Sequence, residues 1–116
     1  MLSTELKDKL LGFRAERDWG QFHNLRTLST SIVLEAAELA EITQWTQDAQ
    51  LATTTEARRA EIEEEVADLA ILLTYLVSDL ALDLDRCVER KLAKNAEKYP
   101  VEKSRGNASK YTELLR

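Results

Sequence analysis

The segment from Val66 to Leu82 constrains the fold of this chain most, because most of its residues are apolar. On a helix of 3.6 residues per turn these side chains cover almost every angular position, so the helix must contact protein on several sides. We therefore predict a long central helix, the third in the chain, which begins after an N-cap at Thr54 or Thr55 and ends at about Leu82.

The rest of the chain also favours helices. With 3 glycines and 1 proline it is poor in turn residues, whereas Ala, Leu, Glu, Lys and Arg abound, which is typical of an all-α protein. Caps, hydrophobic spacing and the helix-breaking Pro100 predict three further helices. These run from Ser3 or Thr4 to about Arg17, from Leu25–Ser29 to about Trp45, and from Asp83 or Asp85 to near Tyr99. We expect an antiparallel four-helix protomer.

The length of 116 residues leaves room for one domain. We assign residues 1–100 to a helical domain and residues 101–116 to a C-terminal tail rich in Lys, Ser, Gly and Asn, which a ligand or a neighbouring subunit could order. Because so short a chain buries proportionately little surface, association with copies of itself would help to stabilise it.

The charge is distributed unevenly along the chain. Residues 1–85 carry 7 Lys/Arg and 17 Asp/Glu, whereas residues 86–116 carry 9 and 4. This pattern argues against general nucleic-acid binding, which usually needs a dominant basic face, but it suits a ligand that brings both a cation and phosphates. A single cysteine, Cys87, and the lack of an apolar leader or a long uncharged span predict a cytoplasmic protein that does not enter a membrane.

Two pairs of carboxylates have the same spacing in consecutive helices. Glu35 and Glu38 are three residues apart in helix two, and Glu65 and Asp68 repeat that spacing in helix three, so each pair projects from one side of its helix. Glu35 also lies in line with the apolar residues Leu28, Ile32, Leu39 and Ile42. Acids that face each other across two helices, on stripes that should be buried, need a cation, a partner or a proton. Because oxygen ligands suit Mg²⁺, these four residues are candidate metal ligands.

Water is the expected nucleophile of such a site. Glu38, Glu41 and Glu64 are the candidate catalytic acids. Of these, Glu41 and Glu64 could act beside the metal ligands, as ligands of a second metal or as the base that orients a water. A di-iron carboxylate site is disfavoured because the single histidine, His23, lies outside every Glu-x-x-His spacing. Covalent catalysis also finds little support, since no glycine-rich phosphate loop or nucleophile motif occurs.

Five stretches of the chain resemble the MazG-like all-α nucleotide pyrophosphohydrolases, and within them the dCTP pyrophosphatase branch. They are Phe13-Arg14-x-Glu16-Arg17-Asp18-Trp19-x-Gln21-Phe22-His23, Glu35-x-x-Glu38-Leu39-Ala40-Glu41-x-x-Gln44-Trp45, Glu64-Glu65-x-x-Asp68, Lys91-x-x-x-Asn95-x-x-Lys98-Tyr99-Pro100 and Ser109-Lys110-Tyr111-Thr112-Glu113-Leu114. The stretches are distributed between residues 13 and 114, so the resemblance extends over most of the chain.

This resemblance implies hydrolysis of a nucleoside triphosphate to the monophosphate and pyrophosphate, with Mg²⁺, or Mn²⁺ as a substitute, on the four acids. It implies a tetramer, a base and sugar pocket shaped by Trp19, His23 and Trp45, and a tail that closes over the site. Contacts to phosphates or sugar are implied for Lys91, Asn95, Lys98 and Tyr99.

The base that the chain accepts stays open at this point. Leu72 stands where relatives of the dCTP branch carry an aromatic residue, although dCTP or a modified pyrimidine deoxynucleotide is the best substrate prediction. Two alternatives remain: a helical binding module without catalysis, and a hydrolase of dUTP or phosphoribosyl-ATP on the same helical plan.

Overall fold

The structure, a computed structural model, describes residues 1–114, and the last two residues of the predicted tail lie outside the described residues. All regular elements among residues 1–114 are helical, which confirms the all-α prediction. The chain forms two compact units, of which the first spans Met1–Leu80 and the second begins at Ala81.

Seven α-helices occur among the described residues, and short 3₁₀ turns at Trp19–Phe22 and Asp48–Gln50 accompany them. The helices are α1 (Thr4–Glu16), α2 (Leu25–Glu41), α3 (Leu51–Ala57), α4 (Arg59–Asp79), α5 (Leu84–Lys98), α6 (Val101–Ser104) and α7 (Tyr111–Leu114). The predicted long helix corresponds to α4, which has 21 residues and is the longest of them.

Side-chain caps explain where three of these helices begin. The Ser3 hydroxyl accepts a hydrogen bond from the Leu6 amide at the start of α1, and the Asp83 carboxylate accepts one from the Arg86 amide at the start of α5. Asn24 and the first turn of α2 form a reciprocal capping box. Each cap satisfies an amide that has no partner inside its own helix.

The core of the first unit lies between α2 and α4. The carbonyl of Ile42, just after α2, accepts a hydrogen bond from Arg58, just before α4, whereas Glu35 of α2 lies beside Glu65 further along α4. The two helices are therefore antiparallel, as expected. The most deeply buried apolar side chains are Leu28 (1% exposed), Tyr75 (5%) and Ile42 (7%), so the predicted stripe of α2 does face the core.

Two predicted helix boundaries are wrong. The second helix ends at Glu41 rather than at Trp45, and the third predicted helix is divided at Arg58, whose backbone has φ −110° and ψ 22°. Thr54 and Thr55 lie inside α3 and do not cap a helix. The break between α3 and α4 results from a tertiary contact, because the Arg58 side chain connects the end of α2 to the start of α4. The local sequence contains no glycine or proline that would signal a break.

The second unit contains α5 and the C-terminal segment. Residues 101–104 and 111–114 form single helical turns within the stretch predicted to be a tail. The boundary predicted between residues 100 and 101 and the closing role of the tail stay predictions. None of the helices in the described part of the chain has both the length and the apolar character needed to cross a bilayer.

Candidate active site

Three carboxylates from the two central helices meet at one point. One oxygen each from Glu35 and Glu38 of α2 and Glu65 of α4 lie within 4.8 Å of one another. The three-residue spacing puts Glu35 and Glu38 on the same side of α2, and antiparallel packing brings Glu65 opposite them. We call these three residues the acid cluster.

The acid cluster has unsatisfied buried oxygens. Oε2 of Glu35 and Oε2 of Glu65 are buried without a hydrogen-bond partner. The pKa of Glu65 is raised to about 7, first by the hydrogen bond that its protonated form can share with Glu35, then by desolvation and by the negative charges of Glu38 and Glu35. A bound cation or a proton would remove this repulsion, and a set of hard oxygen donors fits a divalent cation such as Mg²⁺.

An acidic cleft of about 460 Å³ opens beside the acid cluster. Glu38 and Glu65 line it together with two further predicted catalytic residues, Glu41 and Glu64, which are exposed. The cleft also contains Arg58, which forms an ion pair with Glu61. Carboxylates that point into water-filled space can hold or accept a proton from a water molecule.

Asp68 lies outside the acid cluster and lines a second, mainly apolar cavity of about 240 Å³ together with Glu35. The aromatic part of this lining consists of Phe13, Trp19, His23 and Tyr75. The rings of Phe13 and Trp19 meet edge to face with centroids 5.7 Å apart. Because Glu35 belongs both to this aromatic cavity and to the acid cluster, the two lie side by side in the first unit.

The aromatic cavity also contains a hydrogen-bonded network that was not predicted from the sequence. Arg14 binds the Asp79 carboxylate through two hydrogen bonds of 3.0 and 2.7 Å. Its guanidinium stacks over the Tyr75 ring at 4.5 Å and lies 3.1 Å from Nδ1 of His23. The signal that could have pointed to this network is Asp79 itself, a charge within an otherwise apolar segment that needs a partner.

The remaining predicted substrate residues lie elsewhere. Trp45 is 89% exposed and is not part of the aromatic cavity. Lys91, Asn95 and Lys98 lie on α5 in the second unit, and Tyr99 directly follows that helix. Their predicted contacts to phosphates or sugar stay predictions.

Comparison with known proteins gives consistent matches. The profile of the MazG-like family matches residues 30–114. Over 106 residues the chain is 44% identical to dCTP pyrophosphatase 1 of Rattus norvegicus, and over 104 residues it is 39% identical to dCTP pyrophosphatase 1 of Homo sapiens. These alignments cover 90% and 88% of this chain, which spans about 62% of the length of the curated relatives it matches.

A solved structure is similar over most of its length. The crystal structure of a pyrophosphatase from Archaeoglobus fulgidus superposes with a TM-score of 0.79 at 41% sequence identity. The match covers 83% of this chain and 90% of the other.

Proposed function

Because the chain belongs to the MazG-like family, we propose that it hydrolyses a nucleoside or deoxynucleoside triphosphate to the monophosphate and pyrophosphate. The observation that carries the proposal is the acid cluster, in which three carboxylates converge and two of their buried oxygens have no partner. Such a site fits a substrate that arrives as a complex of phosphates with a divalent cation.

The cation of this proposal is Mg²⁺, with Mn²⁺ as a substitute. Glu35, Glu38 and Glu65 would hold it, and Asp68, one turn beyond Glu65 on α4, is the fourth proposed ligand. When bound, the cation would polarise phosphoryl oxygens and lower the pKa of a coordinated water. The name of the dCTP pyrophosphatases to which the chain is similar supports the proposed release of pyrophosphate.

The chain's own residues have separate tasks in this proposal. Glu41 and Glu64, exposed in the acidic cleft, orient the attacking water, and a carboxylate oxygen of one of them takes its proton. The aromatic cavity receives the base, because Trp19 and Phe13 offer ring surfaces for stacking and the cavity adjoins the acid cluster through Glu35. Phosphate contacts are proposed for the amino groups of Lys91 and Lys98 on α5 through the resemblance alone.

We propose a pyrimidine deoxynucleotide, dCTP or a modified form of it, as the substrate, and removal of unwanted nucleotides in the cytoplasm as the role. The support for dCTP as the substrate is the name of the curated relatives. Leu72, a member of the cavity lining, takes the place of an aromatic residue of the dCTP branch, so the base preference needs a direct test.

A substrate panel tests the proposal. The protein with Mg²⁺ is given the canonical and modified nucleoside triphosphates, dUTP and phosphoribosyl-ATP, and pyrophosphate is measured separately from orthophosphate. We expect pyrophosphate from a pyrimidine deoxynucleotide and loss of activity when the metal is chelated. Absence of turnover with the whole panel would favour a helical binding module instead.

The Glu38→Gln variant tests the metal assignment. Glu38 is exposed and belongs to the acid cluster, so replacing its carboxylate by an amide should preserve the fold and remove one negative ligand. We expect kcat to fall by about 100-fold or more, in the range that a group essential to a metal site contributes. The matched control is Glu63→Gln, on the exposed face of α4, which should keep normal activity. A folded Glu38→Gln protein that releases pyrophosphate at the normal rate would contradict the assignment.

A further inference from the structure

Arg14, Asp79, Tyr75 and His23 form one connected unit at the wall of the aromatic cavity. The Arg14 guanidinium is held on one side by two hydrogen bonds to Asp79 and on one face by the Tyr75 ring. Its side chain is only 13% exposed. The Tyr75 hydroxyl donates a hydrogen bond of 3.4 Å to the Leu10 carbonyl, which holds the ring under Arg14.

The orientation of Arg14 determines the hydrogen-bonding state of His23. A guanidinium group has donors and no acceptor, so the 3.1 Å contact between its Nη1 and Nδ1 of His23 requires Nδ1 to accept. An imidazole whose Nδ1 accepts is neutral and carries its proton on Nε2. The Tyr75 ring, tilted at 39° to the His23 ring with centroids 5.2 Å apart, restricts the ring orientation further.

We propose that Arg14 is a positioning residue, anchored by Asp79 and Tyr75, that fixes His23 as the tautomer with its proton on Nε2. His23 lines the aromatic cavity, and because its Nδ1 accepts from Arg14, the donor that its ring has left for a ligand is the Nε2 N–H group. The cavity is thus supplied with one neutral hydrogen-bond donor.

The charges around His23 come from three helices. Arg14 of α1 and Asp79 of α4 belong to the network, while Glu35 of α2 and Asp68 of α4 line the same cavity. Desolvation, and then the positive charge of Arg14, lower the pKa of His23, whereas Asp79 raises it. Desolvation and the charge of Arg14 therefore both disfavour the imidazolium form of His23, which the negative charges of the cavity acids would favour.

This arrangement indicates what part of a ligand His23 contacts, an inference that rests on the proposed function. A neutral N–H donor pairs well with a carbonyl oxygen or an unprotonated ring nitrogen on the edge of a nucleobase, whereas a phosphate is bound best by a charged donor. His23 therefore reads the base, and Arg14 contributes to specificity without contacting the substrate.

Nitrogen-15 NMR of histidine-labelled protein tests the tautomer directly, because His23 is the only histidine in the sequence. At neutral pH we expect an unprotonated, pyridine-type Nδ1 and a protonated, pyrrole-type Nε2. A spectrum with the proton on Nδ1, or an imidazolium at neutral pH, would overturn the proposal. The wild-type spectrum alone decides which ring nitrogen of His23 carries the proton, whether or not a variant folds.

The Arg14→Leu variant separates positioning from general stability. We expect the pKa of His23 to rise relative to the wild type and the KM for the preferred nucleotide to increase about five-fold, the effect of one neutral hydrogen bond, with kcat nearly unchanged. The matched control is Arg26→Leu, which removes the same charge from an exposed position on α2 and should change neither quantity. An unchanged pKa of His23 in folded Arg14→Leu would contradict the role of Arg14.

The two measurements also separate this inference from the proposed function. Expected NMR spectra together with no turnover of any nucleotide would leave the role of Arg14 intact and remove the proposed reaction. Pyrophosphate release together with a His23 proton on Nδ1 would support the proposed reaction and contradict the role of Arg14.

Discussion

Single residues at the acid cluster combine burial with mutual repulsion. Glu65 is half-buried, its Oε2 has no partner, and two other carboxylates lie within 4.8 Å. Natural proteins keep such an arrangement at sites where a ligand supplies the missing charge. The acid cluster is therefore a place where the metal-free fold is less stable than its packing alone would allow.

The raised pKa of Glu65 predicts how stability depends on pH. Between the ordinary carboxyl value of 4.5 and about 7, the folded metal-free protein binds more protons than the unfolded chain does, so the free energy of unfolding falls as the pH rises through this range. We expect the Tm without metal to be lower at pH 8 than at pH 5.5, measured by circular dichroism. Added Mg²⁺ should raise the Tm more at pH 8, where Glu65 is ionised.

The Glu65→Gln variant is the control for this prediction. An amide cannot ionise, so the part of the pH dependence due to Glu65 and most of the Mg²⁺ effect should disappear. At pH 8 without metal the variant should melt above the wild type. If the wild type and the variant show the same pH profile, repulsion in the acid cluster does not limit stability.

At the scale of elements, the connection between α2 and α4 shows how a tertiary contact sets a helix boundary. Arg58 donates a hydrogen bond of 2.9 Å to the Ile42 carbonyl and pairs with Glu61 in the first turn of α4. These contacts join the end of α2 to the start of α4, the two helices that carry the acid cluster. Arg58 and Ile42 also line the acidic cleft.

Replacing Arg58 should therefore loosen both the helix junction and the cleft. We expect Arg58→Ala to lower the Tm and to reduce kcat/KM, because Glu38 and Glu65 are positioned by the packing of α2 on α4. The neighbouring variant Arg59→Ala is the matched control, since Arg59 pairs with Glu56 and Glu63 on the helix surface, and exposed pairs of this kind add little to stability. Equal effects of the two substitutions would mean that the contact to Ile42 is unimportant.

At the scale of the whole molecule, several large apolar side chains of the first unit are exposed. Phe22 is 63% exposed, Val33 66% and Leu34 59%, while only a few side chains are fully buried. Association with copies of itself would help to stabilise a chain of this length, and the tetramer implied by the resemblance to MazG-like enzymes stays a prediction. The prediction of self-association thus has a physical reason in the structure.

Sedimentation equilibrium tests the assembly. We expect a mass four times the 13.2 kDa of one chain, and we expect Val33→Lys to lower the mass because it puts a charge into an apolar contact. Asp8→Lys, at an exposed polar position of α1, should leave the mass unchanged. A wild-type protein that sediments as a monomer at micromolar concentration would contradict the prediction.

Much of this protein follows from local sequence rules. The scarcity of turn residues and the spacing of Leu28 and Ile42 determine an all-α fold and the buried face of α2, because helix formation and amphipathic patterning act over a few neighbouring residues. The same spacing rule places Glu35 and Glu38 side by side. Acids on a buried stripe predict the need for a cation, a partner or a proton before any packing is known.

Other features depended on contacts between residues far apart in the chain. The break at Arg58 follows from its bond to Ile42, and the state of His23 follows from Arg14, which Asp79 holds from 65 residues away. No local pattern encodes these contacts, because each requires the packing of one helix against another. The sequence by itself thus determined the helices and the acids they carry, whereas only the tertiary structure decided which acids meet and which donor the aromatic cavity presents.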